Sequence, residues 1–83
     1  MAMDTWETVI ATNNALAKMA QYGLSQSGVM DAFNRPDRIE WSKTPNCKNY
    51  IRNYKDYEIG VVARQKNDGT WIIVSCWYRK LYK

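Results

Sequence analysis

The chain has no histidine, and its 83 residues include only two cysteines, two prolines, four glycines and one phenylalanine. Without histidine the usual proton-transfer residue at neutral pH is missing, so any catalysis must use Lys, Arg, Tyr, Asp or Glu. Cys47 and Cys76 are far apart in sequence and have no histidine to join them. We therefore predict no metal site and no cofactor. Both cysteines fall in predicted strands, where we expect buried, reduced thiols.

Long apolar runs are also absent. No stretch approaches the ~20 residues that span a bilayer, and no signal-peptide pattern opens the chain. We therefore expect a cytoplasmic protein without a membrane partner. The hydrophobic content of 46%, with four Trp and six Tyr, favours a folded globule over a disordered chain. The length predicts one domain, spanning residues 1–83.

Charge is distributed unevenly along the chain. Residues 1–34 carry a net charge of −2, whereas residues 35–83 carry +6. A basic half that is also rich in aromatic residues suits a polyanionic partner such as RNA. A solvated basic surface would give the same composition, so the sequence leaves both interpretations open.

The N-terminal third has a helical pattern. Asp4 or Thr5 can cap a first helical segment, and Asp4 with Glu7 has the spacing of a capping box. Apolar residues then recur at three- and four-residue steps from Trp6 to Ala20. A break near Thr12 would restrict the helix to residues 13–22. Gly23 then follows as the positive-φ residue that ends it.

A second helix is predicted to begin at Ser25 or Ser27 and to end before Pro36. Beyond Pro36 the apolar period changes from about three or four residues to two, which is typical of strands. We predict an α+β domain with two N-terminal helices packed on a four-stranded, mostly antiparallel β-sheet. The predicted strands are residues 38–42, 47–54, 57–64 and 70–78, and the last two are joined by an Asp-Gly turn at residues 68–69.

The second strand carries a pattern that could bind RNA. Alternation places Lys48, Tyr50, Arg52 and Tyr54 on one face, which we call the Lys-Tyr-Arg-Tyr ladder. Its cations could bind phosphates and its rings could stack on bases, each stack contributing about 1–3 kcal/mol. The alternative is an edge strand kept soluble by its charges, with half-buried tyrosines.

The last strand divides its side chains between two faces in the same way. The first face would carry Thr70, Ile72, Val74, Cys76 and Tyr78, and the second Trp71, Ile73, Ser75, Trp77 and Arg79. If the sheet pairs suitably, the second face would extend the Lys-Tyr-Arg-Tyr ladder.

These residues would suit metal-independent RNA cleavage, in which a ribose 2′-hydroxyl attacks the adjacent phosphate. Lys and Arg can stabilise the charge that develops on the phosphate, and Tyr or Lys can move protons. Ser75 could donate to a phosphate oxygen, although a strand Ser more often bonds to neighbouring backbone. The candidate catalytic residues are Arg52, Lys48, Ser75, Arg79 and Tyr54, and the candidate RNA-binding residues are Tyr50, Arg64, Trp77 and Lys80.

Residues 14–25 read Asn-Ala-Leu-Ala-Lys-Met-Ala-Gln-Tyr-Gly-Leu-Ser. This segment resembles the first helix of the small BrnT-like and RelE-like toxin superfamily, in a branch that reads approximately His-Ala-x-x-Arg-Met-x-x-Arg-Gly-Ile-Ser. The similarity continues through residues 29–33 and resumes at residues 60–62 and 68–75. It covers most of the chain through short motifs.

The resemblance implies a RelE-like fold and a toxin-type endoribonuclease from a bacterial or phage toxin–antitoxin module. Its partners would be RNA, free or on the ribosome, and a cognate antitoxin protein. By position it adds Asn14 and Lys18 to the RNA-binding set and supports Arg52 and Ser75. The family histidine is Asn14 here, which cannot exchange a proton, and the second family arginine is Tyr22. The alternative function is therefore a non-catalytic RNA- or protein-binding module on the same scaffold.

Overall fold

The computed structural model describes residues 3–6 and 9–81. It has an α+β architecture with two helices, as the sequence predicted. In chain order the elements are β1 (Met3–Trp6), β2 (Val9–Thr12), α1 (Asn13–Tyr22), α2 (Gln26–Asn34), β3 (Arg38–Trp41), β4 (Lys48–Asn53), β5 (Tyr57–Gln65) and β6 (Trp71–Lys80).

One mixed sheet joins all the described strands in the order β1-β2-β6-β5-β4-β3. Strand β2 runs parallel to β6, and every other neighbouring pair is antiparallel. The four predicted strands form as β3 to β6, and the sheet is mostly antiparallel as expected. The predicted number of four strands is wrong, because β1 and β2 extend the sheet beyond β6.

The expected helix between Asp4 and Thr12 is also wrong, because this part of the chain forms β1 and β2. Val9 and Ala11 are buried in the core beneath the helices. Parallel pairing of β2 with β6 makes this burial possible, and β-branched residues such as Val9 and Ile10 lose little by being extended. Glu7, which the sequence placed in a capping box, lies outside the described residues.

The predicted helix boundaries at Thr12 and Gly23 are confirmed. The Thr12 hydroxyl accepts a hydrogen bond from the Ala15 N–H, and Gly23 ends α1 in the left-handed region with φ 67°. Ser25 caps α2 by accepting from the Gly28 N–H. Neither helix in the described part of the chain is long and apolar enough to cross a membrane.

Both helices pack on one face of the sheet, which we call the helix-bearing face. Ala15 of α1 and Val29 of α2 are fully buried against it. Beside this core, Phe33 makes edge-on ring contacts with Tyr50 and Trp71 at centroid distances of 5.0 and 5.2 Å. These contacts attach α2 to β4 and β6.

Strand β6 contains a β-bulge. Val62 of β5 pairs with Ser75, but the next residue, Ala63, pairs with Ile73. Val74 is therefore an extra residue opposite no partner. An extra residue of this kind breaks the strict alternation of side chains along a strand.

The bulge overturns the predicted division of β6 into two faces. Ile73 and Cys76 both lie in the core on the helix-bearing face, although their odd and even numbers predicted opposite faces. Ile72 lies on the opposite face, where it pairs with Arg64. The expected sharing of one face by Ile72, Val74 and Cys76 is wrong.

Candidate nucleic-acid interface

A groove of about 300 Å³ lies on the helix-bearing face at the end of the sheet where β4 begins. We call it the aromatic groove. Its walls combine three aromatic rings, two cations and two amides, and no Asp or Glu within residues 3–6 and 9–81 lines it. The lining residues are Trp41, Asn46, Lys48, Tyr50, Ala63, Arg64, Gln65 and Trp71.

Trp41 forms the outer wall of the aromatic groove. It belongs to the edge strand β3 and is 76% exposed, although a Trp side chain is usually largely buried. Its register partner is Lys48, whose Nζ lies 4.9 Å from the centre of the indole ring. This cation–π contact holds a positive charge beside a flat, accessible ring.

Tyr50 and Trp71 form the inner wall, and α2 holds both in place. Their ring centroids are 5.9 Å apart, and each ring also contacts Phe33. Burial raises the pKa of the Tyr50 hydroxyl, so it stays protonated at neutral pH. In this state it can donate a hydrogen bond but cannot serve as a base.

The basic rim arises because β5 extends past the start of β4. The last pair between these strands is Lys48 with Ala63, so Arg64 and Gln65 continue beyond it. Gln65 pairs with Trp71 on the helix-bearing face, whereas Arg64 pairs with Ile72 on the opposite face and borders the groove at the end of the sheet. A second depression of about 340 Å³ adjoins the groove at Arg64 and adds Lys66 to the rim. No acidic residue in the described part of the chain lines this depression either. The end of the sheet therefore presents a cationic surface formed by Lys48, Arg64 and Lys66, with Asp68 in the turn that follows Lys66.

Ser75, Trp77 and Arg79 do not extend the Lys-Tyr-Arg-Tyr ladder, contrary to one expectation from the sequence. Ser75 pairs with Val62 and Arg79 pairs with Glu58, which places them on the face opposite the helices. The ladder lies on the helix-bearing face, as its contacts with Phe33 and the core show. The predicted catalytic residues are thus divided between the two faces of the sheet.

Arg79 is part of an ion-pair cluster on that opposite face. Glu58 is 2% exposed and contacts both Arg79 and Arg38, the latter through Nη1 at 3.2 Å from Oε2. Arg38 also binds Glu40 through Nε at 2.8 Å. Hydrogen bonds to Glu40 and Glu58 raise the pKa of Arg38. The charge of Arg79 is therefore already matched within the protein.

Trp77 also has a structural role on this face. Its indole lies directly over Gly60, and its Nε1–H donates to Asn49 Oδ1 at 3.2 Å. A buried indole N–H needs such a partner. The position explains why a glycine occurs in the middle of an inner strand.

The other predicted residues lie apart from the aromatic groove. Asn14 Nδ2 donates to the Val74 carbonyl at 3.0 Å, which ties α1 to the bulge. Lys18 is half-buried on α1, and Lys80 pairs with Tyr57 near the end of β6. The structure brings together only three predicted residues at this groove: Lys48, Tyr50 and Arg64.

Arg52 lies farther along β4, and Tyr54 follows the end of that strand. Arg52 Nη1 donates to the Arg35 carbonyl at 3.0 Å, and its guanidinium lies 5.4 Å from the centre of the Tyr54 ring. Tyr54 stacks on Tyr57. Both side chains hold neighbouring parts of the fold together on the helix-bearing face.

Seven residues that line the aromatic groove or the adjoining depression were not predicted as site residues. A signal for Trp41 was available, because a hairpin between the first two predicted strands would bring it close to Lys48. The others owe their position to where β4 and β5 end, which no local motif encodes. The missed residues are Trp41, Asn46, Ala63, Gln65, Lys66, Asn67 and Trp71.

The cysteines are not placed for chemistry. Both are free and buried, and burial raises the pKa of the Cys76 thiol to about 11, so little thiolate forms at neutral pH. Within residues 3–6 and 9–81 no group of three His, Cys, Asp or Glu side chains could hold a metal ion. The interface therefore consists of rings, cations and amides.

No protein-family model, curated protein or solved structure matches the chain.

Proposed function

We propose that the protein binds single-stranded RNA in the aromatic groove. The observation that carries this proposal is Trp41, a Trp exposed to 76% with Lys48 over its ring, beside a cationic rim that no acidic residue among those described lines. An exposed indole offers a stacking surface for a base, and the adjacent cations attract the phosphates. The base faces that stack on such a ring are free in a single strand and covered in a duplex.

The amides of the groove support RNA as the ligand. Asn46 and Gln65 each have donor and acceptor groups that can bond a base edge or a ribose 2′-hydroxyl. Asn46 has φ 64°, a left-handed conformation that Asn tolerates better than most residues. This turn brings the β3–β4 connection to the groove opposite Arg64.

We expect labelled RNA of about 12 nucleotides to bind with an affinity that falls as salt rises. Three phosphate contacts, from Lys48, Arg64 and Lys66, predict that the logarithm of the binding constant falls with the logarithm of the salt concentration, with a slope of about −2 for a single strand. Replacing Trp41 by Ala should weaken binding by about 5-fold to 150-fold, the equivalent of one lost base stack. Fluorescence anisotropy between about 50 and 200 mM salt measures both effects.

Two control variants match these changes. Ile39→Ala removes the exposed apolar side chain that pairs with Tyr50 on the same strand but is not among the lining residues, and should weaken RNA binding far less than Trp41→Ala. Lys18→Ala removes a positive charge from α1, outside the groove, and should leave the salt slope unchanged. Lys48→Ala should weaken binding and make the salt slope less steep by about 0.7. Affinity independent of salt, or equal losses for Trp41→Ala and Ile39→Ala, would reject RNA binding in this groove. A salt-independent complex would instead indicate a protein partner.

A second candidate function is metal-independent cleavage of RNA in the same groove. Lys48 supports it, because it lines the groove on the helix-bearing face, and Arg64 borders the groove at the end of the sheet, so either cation could stabilise charge on a phosphate. Tyr50, protonated at neutral pH, could protonate the leaving oxygen. In this proposal the protein is a RelE-like toxin, and a cognate antitoxin protein covers the groove.

Cleavage predicts that purified protein cuts RNA in the presence of a metal chelator and that induced expression slows bacterial growth. Arg64→Ala should lower the cleavage rate by at least about 100-fold if Arg64 stabilises the transition state. Arg52→Ala, a matched change on the neighbouring strand outside the groove, should have a much smaller effect. The absence of cleavage by the parent protein, on free RNA and on ribosomes, would reject catalysis and leave the binding proposal intact.

A further inference from the structure

Another pocket, of about 360 Å³, lies at the end of the helix-bearing face that is opposite the aromatic groove and its adjoining depression. We call it the tyrosine pocket, because Tyr22, Tyr54, Tyr57 and Tyr78 line it. Among the residues that the structure describes, its lining includes no charged side chain. Four rings around one opening provide a surface suited to a flat, uncharged group such as a nucleobase.

Three of the rings form a row. Tyr54 and Tyr57 stack with centroids 4.7 Å apart and planes inclined by 15°, and Tyr78 follows 5.3 Å from Tyr57 at 32°. The guanidinium of Arg52 covers the Tyr54 end of the row. Tyr78 is at the other end and is 36% exposed. The row can therefore accept a further ring at Tyr78.

Strand β4 connects the tyrosine pocket to the aromatic groove. Lys48 and Tyr50 line the groove, and Tyr54, on the same side of the strand, lines the pocket. Lys48 and Tyr54 are six residues apart, which corresponds to about 20 Å of extended chain. Arg52 lies between the two sites and uses one of its five N–H donors on the Arg35 carbonyl. Its other donors can face a phosphate.

We propose that the tyrosine pocket is a second stacking site for the same RNA strand, with Arg52 binding the phosphates between the two sites. This inference rests on the proposed RNA binding in the aromatic groove. Charge favours RNA as the occupant, because the path between the pockets runs from Lys48 to Arg52 and carries positive charge at both ends. A stacked strand advances about 3.4 Å per nucleotide, so about six nucleotides reach from one site to the other.

The affinity of the parent protein should therefore depend on RNA length in a step. A strand of about three nucleotides reaches one site, whereas a strand of about 12 reaches both, and the second contact forms within the complex. We expect the affinity to rise by at least about 10-fold where the length passes about six nucleotides. A smooth rise, in proportion to the number of positions at which the strand can bind, would overturn the inference.

Variants distinguish this inference from the binding proposal itself. Tyr78→Leu should weaken the binding of the 12-nucleotide RNA by about 5-fold or more and leave the 3-nucleotide RNA unaffected, while Trp41→Ala weakens both. Tyr78→Phe keeps the ring and should bind both RNAs like the parent, and circular dichroism confirms that each variant is folded. If Trp41→Ala weakens the longer RNA and Tyr78→Leu does not, the second site is wrong and the first stands. If neither RNA binds the parent protein, both proposals fail.

Discussion

Replacing Glu58 by Gln lowers the free energy of unfolding by about 3 kcal/mol. The carboxylate is 2% exposed and is held between Arg38 and Arg79 on the face opposite the helices. A buried carboxylate that has two cations stabilises the sheet only as long as it is charged, and the neutral amide leaves both guanidiniums without their partner. Arg79 is 63% exposed and can turn toward water, which keeps the loss below the upper values for fully buried pairs.

Glu40 provides a matched control for this change. Its carboxylate binds the same Arg38, at 2.8 Å, but its side chain is 53% exposed. Glu40→Gln should therefore cost less than about 1 kcal/mol, as exposed pairs do. Urea denaturation of both variants measures the difference. Equal losses would mean that burial of Glu58 is unimportant and that both glutamates act only as surface charges.

Gly60→Ala is expected to destabilise the protein by about 3 kcal/mol. A Cβ at position 60 would overlap the Trp77 indole, which lies flat over this glycine in the neighbouring strand. The ring would have to move away, breaking its hydrogen bond to Asn49 and exposing the sheet beneath it. Thermal and urea denaturation should both show the loss.

The physical cause can be tested with a double variant. Trp77→Leu removes the ring and its hydrogen bond, so Gly60→Ala should cost much less in that background than in the parent. The two changes should thus be coupled by about 1–3 kcal/mol. Additive losses would show that the indole does not restrict position 60 and that backbone effects of the glycine explain the destabilisation.

The sequence predicted those parts of the fold that depend on neighbouring residues. The turn at Asp68 and Gly69 joins two strands rich in β-branched residues, and Gly23 lies where a helix must end. Each of these signals lies within a few residues of the element it determines. The extended conformation of residues 9–12 has no such signal, because it depends on pairing with Trp71 to Ile73 more than 60 positions away.

The candidate site was predicted in its chemistry but not in its geometry. Lys48 and Tyr50 were recognised as a cation and a ring on one face, and the alternative of half-buried tyrosines also agrees with the packing of Tyr50. The grouping with Ser75 and Arg79 failed because the face of a strand residue depends on register. A shift of one residue moves every side chain to the other face. No local pattern reveals that shift.

The parallel pairing of β2 with β6 has a consequence for how the chain folds. Strands β4, β5 and β6 follow one another through short turns, so their contacts close small loops. The β2–β6 contact closes a loop that contains both helices and all the other described strands except β1. Contacts between such distant parts of a chain form slowly. We therefore expect the β4–β5–β6 meander to form first, the helices to pack on its face next, and β2 to pair last.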